Sequence, residues 1–181
     1  KFILPCAPTN PVSCNGGFRM TSWMDLLEIP VKPDSPDNGK HVAASLKIVN
    51  GLIDTEVANG IPPERIVVGG FSQGAAMALA VASQYAKPLA GCVALSGWCL
   101  PAQKLEEVLG ADVCPAKDTP FLVCHGEEDT TVLFQCAGQT NELLKKAGVK
   151  TVSFKTYPGV AHSSCPREER DVADFIERTL P

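Results

Sequence analysis

The chain has 181 residues, enough for one domain with a sizeable core and not comfortably two. Hydrophobic residues make up 45% and charged residues 20%, a globular balance that excludes a disordered chain. The net charge of −4, with no basic cluster, excludes nucleic acid as a partner, and no apolar run approaches the roughly 18 residues of a membrane span.

In chain order, Phe2-Ile3-Leu4 reads as a strand closed by Pro5. From Cys6 to Asp37 the chain is rich in Pro, Gly, Asn and Ser and reads as a long loop, which in a compact domain is usually functional. Val42, Leu46, Val49, Ile53 and Val57 recur at helical spacing, with Asp37 as a cap and Gly60 as a stop. Ile66–Val68 reads as a buried strand. The following helix, Gly74 to about Tyr85, is made of small apolar residues on every side and should lie in the middle of the protein. Leu89–Leu95 is the next strand, followed by a short helix near Gln103–Leu109. Phe121–Cys124 is a strand ending at His125-Gly126, and a helix from Val132 to Ala147 stops at Gly148. Val152–Tyr157 is a strand. The last helix, Pro166–Leu180, has Ser164 or Cys165 at its cap and Val172, Phe175, Ile176 and Leu180 as its buried stripe. Strands alternating with helices predict an α/β fold, a mostly parallel sheet covered on both faces, in a single domain over 1–181.

Eight cysteines lie at 6, 14, 92, 99, 114, 124, 136 and 165, with no CxxC spacing. Cys92 and Cys124 sit inside apolar runs, where cysteine behaves as a small hydrophobe. They read as reduced thiols of a cytoplasmic protein, with no metal site.

The chemistry concentrates at Gly70-Phe71-Ser72-Gln73-Gly74, a GxSxG directly after a strand and opening a helix. A nucleophile elbow needs that context: the serine stands on a tight turn, and the helix N-terminus aims free N–H groups at a developing oxyanion. The alternative is a glycine-rich turn whose serine merely caps the helix. A serine hydroxyl needs a base. Of the three histidines, His41 reads as a surface residue of a helix and His125 as a loop stabiliser. His162 lies between a strand's C-terminal end and the last helix, where open parallel sheets place their sites, and is the candidate base. The base needs an acid to hold its tautomer. Glu127, Glu128 and Asp129 all follow the strand Phe121–Cys124, and the physics of spacing does not choose among them.

These segments resemble the acyl-protein thioesterase and carboxylesterase family of α/β-hydrolases, also called lysophospholipase-like. Phe2-Ile3-Leu4-Pro5-Cys6-Ala7-Pro8 resembles the family's strand and "PHAP" turn, and Ser22-Trp23-Met24-Asp25 its "SWFD" segment. Arg65 to Gly74 resembles "RIxxGGFSQGG", with Ala75 in place of the last glycine. Ala94-Leu95-Ser96-Gly97-Trp98 resembles "ALSxW", and His125-Gly126-Glu127-Glu128-Asp129 resembles "HGxxD". Phe154 to Gly159 and Ala161 to Cys165 resemble "FKTYxGxxHSSC". The resemblance implies Ser72 as nucleophile, Asp129 as acid and His162 as base, with the backbone N–H of Gln73 in the oxyanion hole. It places Trp98 and the segment bearing Met20, Trp23 and Met24 near an acyl groove; the competing reading is that these are ordinary core residues. Two departures stand out. Thr130-Thr131-Val132-Leu133 follow Asp129 where the family often has "DPxVP", and the family's "HGxGD" oxyanion loop has no counterpart. An N-terminally incomplete domain, lacking one strand and that loop, is therefore expected.

The resemblance implies a serine hydrolase of acyl thioesters and esters, working without cofactor or metal on S-acylated proteins or lysophospholipids and without stable membrane insertion. A general carboxylesterase for small soluble esters and a non-catalytic binding protein of the same fold are the competing functions.

Overall fold

The computed structural model describes residues 1–100 and 115–180. Its centre is a four-stranded parallel sheet: β3 (Val67–Phe71), β4 (Gly91–Leu95), β5 (Phe121–Gly126) and β6 (Val152–Tyr157), side by side in that order. A separate hairpin precedes it, β1 (Thr9–Val12) paired antiparallel with β2 (Phe18–Thr21). The helices are α1 (Gly39–Ala58), α2 (Gln73–Gln84), α3 (Phe134–Lys146) and α4 (Pro166–Thr179).

Period-two alternation sorts the sheet's side chains into two layers. Cys92 and Ala94 of β4 and Phe121 and Val123 of β5 join Ile53 of α1, Leu79 and Ala82 of α2 and Leu144 of α3 in one cluster. Val93, Leu122 and Cys124 point the other way, onto Phe175 of α4. Every residue of β5 is buried, as expected of a strand covered on both faces. Gly91 lets α4 close on the sheet, because a Cβ there would stand 2.8 Å from the Phe175 ring. Nine consecutive residues of α2, Ala75 to Ser83, are buried, in keeping with a helix apolar all round.

Four expectations are corrected. Phe2–Leu4 forms no strand; Phe2 is 91% and Leu4 89% exposed. Three apolar residues make a strand only beside a partner, and among the described residues nothing pairs with them. The stretch from Cys6 to Asp37 is not all loop: Gly16 and Gly17, at φ 65° and 78°, turn the chain back and allow the hairpin. The cap of α1 is Asn38, whose side chain accepts from the His41 N–H, rather than Asp37. His41 itself is half-buried rather than on the surface. The expected helix near Gln103–Leu109 lies outside the described residues. No helix among the described residues is long and apolar enough to cross a membrane.

Candidate active site

The carboxyl ends of β3, β5 and β6 each deliver one candidate functional side chain. Ser72 follows β3 and stands at φ 56°, ψ −120°, a strained conformation for a residue with a Cβ. The turn is so tight that a Cβ on Gly70 would lie 2.3 Å from the carbonyl carbon of Gly74. Gly97 performs a similar service from β4, since its Cβ would meet that of Ala75 at 2.5 Å. Ser72 occupies the N-cap of α2 yet makes no side-chain capping bond, so its hydroxyl is not spent on the helix. Its Oγ lies 3.0 Å from His162 Nε2. Gln73 is the first residue of α2, where backbone N–H groups have no partner within the helix.

Asp129 sits in the turn after β5. Its Oδ1 accepts from the amides of Thr131 and Val132, each at 2.9 Å, and its Oδ2 accepts from His162 Nδ1 at 2.7 Å. Thr130 to Leu133 thus close the acid's turn without the family's "DPxVP". Burial pushes against ionisation of Asp129, but the bonds from His162 and the two amides outweigh it and hold the carboxyl below its ordinary value. Glu127 and Glu128 are exposed, while the Asp129 side chain is fully buried. Of the three acids that spacing left open, Asp129, the one the resemblance implied, is the one hydrogen-bonded to His162.

The loop from β6 to α4 carries His162. It is pressed against the end of β5: the Glu128 N–H donates to the Val160 carbonyl at 3.0 Å, and a Cβ on Gly126 would come within 2.2 Å of that oxygen. The Phe71 ring, 40% exposed, lies 4.7 Å from the His162 ring centroid to centroid. Phe71, Gly97, Gly126 and the side chain of Gln73 were not singled out by sequence reasoning. The glycines carried a signal in their places beside Trp98 and His125, but only tertiary contacts reveal what they make room for.

The four residues assigned to an acyl groove are dispersed. Met24 and Trp98 are 1% and 4% exposed and pack with Val31, Val42, Met77 and Val132. They also form part of a small cleft with Leu26, Leu27 and Leu100. Trp23 is half-buried, and Met20 is exposed on β2. The segment is fastened to the elbow by the Gln73 amide, whose Oε1 accepts from the Trp23 N–H at 3.0 Å and whose Nε2 donates to the Met24 carbonyl at 3.3 Å. Among the described residues no group of three or more His, Cys, Asp or Glu could hold a metal ion.

A profile of the phospholipase/carboxylesterase family matches residues 1–180. The chain is 40% identical to carboxylesterase SOBER1 of Arabidopsis thaliana over 180 residues, which cover 99% of this chain and 77% of the relative. It is 39% identical to acyl-protein thioesterase 1 of Gibberella zeae over 184 residues, covering the whole of this chain and 77% of the relative. The crystal structure of SOBER1 superimposes with a TM-score of 0.90 over 99% of this chain and 83% of that one. Zea mays acyl-protein thioesterase 2, at 32% identity, does so with a TM-score of 0.84 over 98% and 80%. With a parallel sheet, a serine at its elbow and likeness along nearly its whole length, the chain belongs to the phospholipase/carboxylesterase family, hydrolases of the α/β-hydrolase fold.

Proposed function

We propose that this chain is a serine hydrolase that opens acyl thioesters and esters through Ser72, His162 and Asp129, with S-acylated proteins or lysophospholipids as its substrates. The observation that carries the reading is the unbroken relay from Ser72 Oγ to His162 Nε2 at 3.0 Å and from His162 Nδ1 to Asp129 Oδ2 at 2.7 Å. Ser72 Oγ attacks the acyl carbon while His162 Nε2 takes its proton. The carbonyl oxygen gains the charge beside the Gln73 N–H, which is fixed in place before the reaction and costs no reorganisation. His162 returns the proton to the departing thiol or alcohol, leaving an acyl-serine. Water, deprotonated by the same nitrogen, attacks the acyl carbon, and the acid leaves as the proton returns from His162 to Ser72 Oγ. The Asp129 carboxylate stays ionised throughout and stabilises the imidazolium.

The thioester preference follows the likeness to proteins named acyl-protein thioesterase; the likeness to a protein named carboxylesterase supports a second reading, action on small soluble esters. Free cysteines, several of them in the core, fit a reducing compartment such as the cytoplasm. The test is turnover of acyl thioesters, acyl esters and lysophosphatidylcholine from two to sixteen carbons, with Ser72→Ala as control. Rising kcat/KM with chain length on thioesters supports the first reading, and a maximum at two to four carbons supports the second. A Ser72→Ala protein that keeps wild-type turnover, or a wild type that fails to react with a fluorophosphonate, overturns both.

A further inference from the structure

Beside the triad stands a histidine that the mechanism above does not use. His125, at the end of β5, is 0% exposed. Its Nε2 lies 2.8 Å from the Val132 carbonyl oxygen and 3.3 Å from Asp129 Oδ2. Both neighbours can only accept, so Nε2 must carry a proton. Its Nδ1 is buried with no hydrogen-bond partner. A protonated Nδ1 would be an unsatisfied N–H in a dry site, which costs more than a bare lone pair there. The ring is therefore neutral and fixed in the Nε2–H tautomer. Burial, above all, pushes its pKa down; the Val132 carbonyl and Asp129 oppose this, and His162 adds to it. Asp129 and His162 are the titratable groups acting on it, and the ring of Phe134 closes its side toward α3.

We propose that neutral His125 is a positioning residue for the triad, clamping the turn that carries Asp129 through its N–H to the Val132 carbonyl and setting that N–H dipole 3.3 Å from Asp129 Oδ2. The inference rests on the triad reading. Its logic is that the Val132 amide fixes Oδ1 and the Val132 carbonyl is in turn fixed by His125, so the turn that aims Oδ2 at His162 is held from both sides of one residue. An uncharged ring holds the turn in place without neutralising the carboxylate. A protonated histidine in that place would compete with His162 for the same negative charge.

The test compares wild type with His125→Gln, whose amide N–H can reach the position of Nε2, and His125→Phe, which fills the space without a donor. Both variants are measured for kcat/KM against pH on one acyl ester, with melting curves to confirm folding. His125→Phe should lose about 10- to 100-fold in kcat, the range seen when a partner that orients an active-site ligand is removed. Its acidic limb should also move to higher pH, because an Asp129 that shares less of its charge keeps the base protonated longer. His125→Gln should stay within a few-fold of wild type with the limb unmoved. A folded His125→Phe with wild-type kcat and pH profile overturns the proposal. Nitrogen NMR of the wild type stands in should His125→Phe fail to fold: a His125 that is cationic, or protonated at Nδ1, at pH 7 overturns it equally. Ser72→Ala, run in parallel, separates the failures: near-wild-type turnover there sinks the triad itself, whereas a Ser72→Ala that loses its turnover beside an indifferent His125 sinks only this inference.

Discussion

Gly126 shows how little room the candidate site leaves. Adding a methyl group there would drive it to 2.2 Å from the Val160 oxygen, and the loop bearing His162 would have to retreat. Overpacking of this kind costs roughly 1–3 kcal/mol. Gly126→Ala should accordingly lower the melting temperature and reduce kcat at least about tenfold, since a base displaced by even 1 Å is a poor base. Calorimetry and single-turnover kinetics on the same sample check both halves. Asp129→Asn should act differently. The amide keeps an oxygen for the Thr131 and Val132 N–H groups, so the fold should survive, but its nitrogen cannot accept from His162. A kcat loss on the order of 10⁴-fold is expected, against little change for Glu127→Gln or Glu128→Gln. If Glu128→Gln is the damaging change, the acid has been misassigned. At this scale the residue types were legible: one serine in a GxSxG and one histidine at a strand's carboxyl end. Spacing alone did not choose the acid, because three adjacent carboxylates differ only in which one the turn folds inward; the family resemblance did. Asp129 folds inward because the amides of Thr131 and Val132 wrap its own carboxylate.

The elements were legible wherever hydrophobic periodicity was strong. β6 has the expected bounds, α2 starts one residue early, and α4 ends one residue short, all within ordinary end effects. The hairpin was missed because Asn15-Gly16-Gly17 was read only as loop composition, although paired left-handed glycines are a means of reversing a chain. Phe2–Leu4 was overread because apolar character alone does not reveal whether a partner strand is present. Helix α4 hides a feature that no periodicity shows. Glu168, in its first turn, is 1% exposed, and its Oε2 has no hydrogen-bond partner. Burial, helped by Glu169 and Asp171, pushes its carboxyl up to about 7. The folded-state value lies above the unfolded one, so the folded state holds an extra proton between them. That stability is fully present below about pH 4.3, the ordinary Glu value, and is lost as pH rises through about 7. Glu168→Gln should thus melt higher than wild type at pH 8.5 and close to it at pH 5. An equal difference at both pH values would mean that another group titrates.

Across the whole molecule, the stepwise order β3-β4-β5-β6 puts every candidate catalytic group at one end of the sheet, the position that α/β folds favour for their sites. On the other edge of β3 no strand pairs among the described residues, so Val67–Phe71 is an edge strand. The described cysteines sort by layer. Cys6 and Cys14 are exposed, while Cys92, Cys99, Cys124 and Cys136 are buried. Burial above all raises those four thiols, Cys99 to about 11 and Cys124 and Cys136 to about 12, far from the thiolate that alkylation requires. Iodoacetamide mapping by mass spectrometry should mark Cys6 and Cys14 in the native protein, and Cys92, Cys99, Cys124 and Cys136 only in denaturant. Native labelling of Cys92 would mean that the central sheet is not packed as described.

The dispersal of the site along the chain sets an order in time. Ser72 and His162 are 90 residues apart and Asp129 and His162 are 33 apart, yet all three meet within hydrogen-bond reach. Local helices such as α1 can close in about a microsecond, whereas parallel pairings wait on long loop closures and bring such folds into the slower, millisecond-to-second range. During refolding, far-UV ellipticity should recover before turnover does, with a lag that no added substrate shortens. On the proposed assignment, a growing chain holds Ser72 long before His162, so it is chemically silent until the loop after β6 has docked.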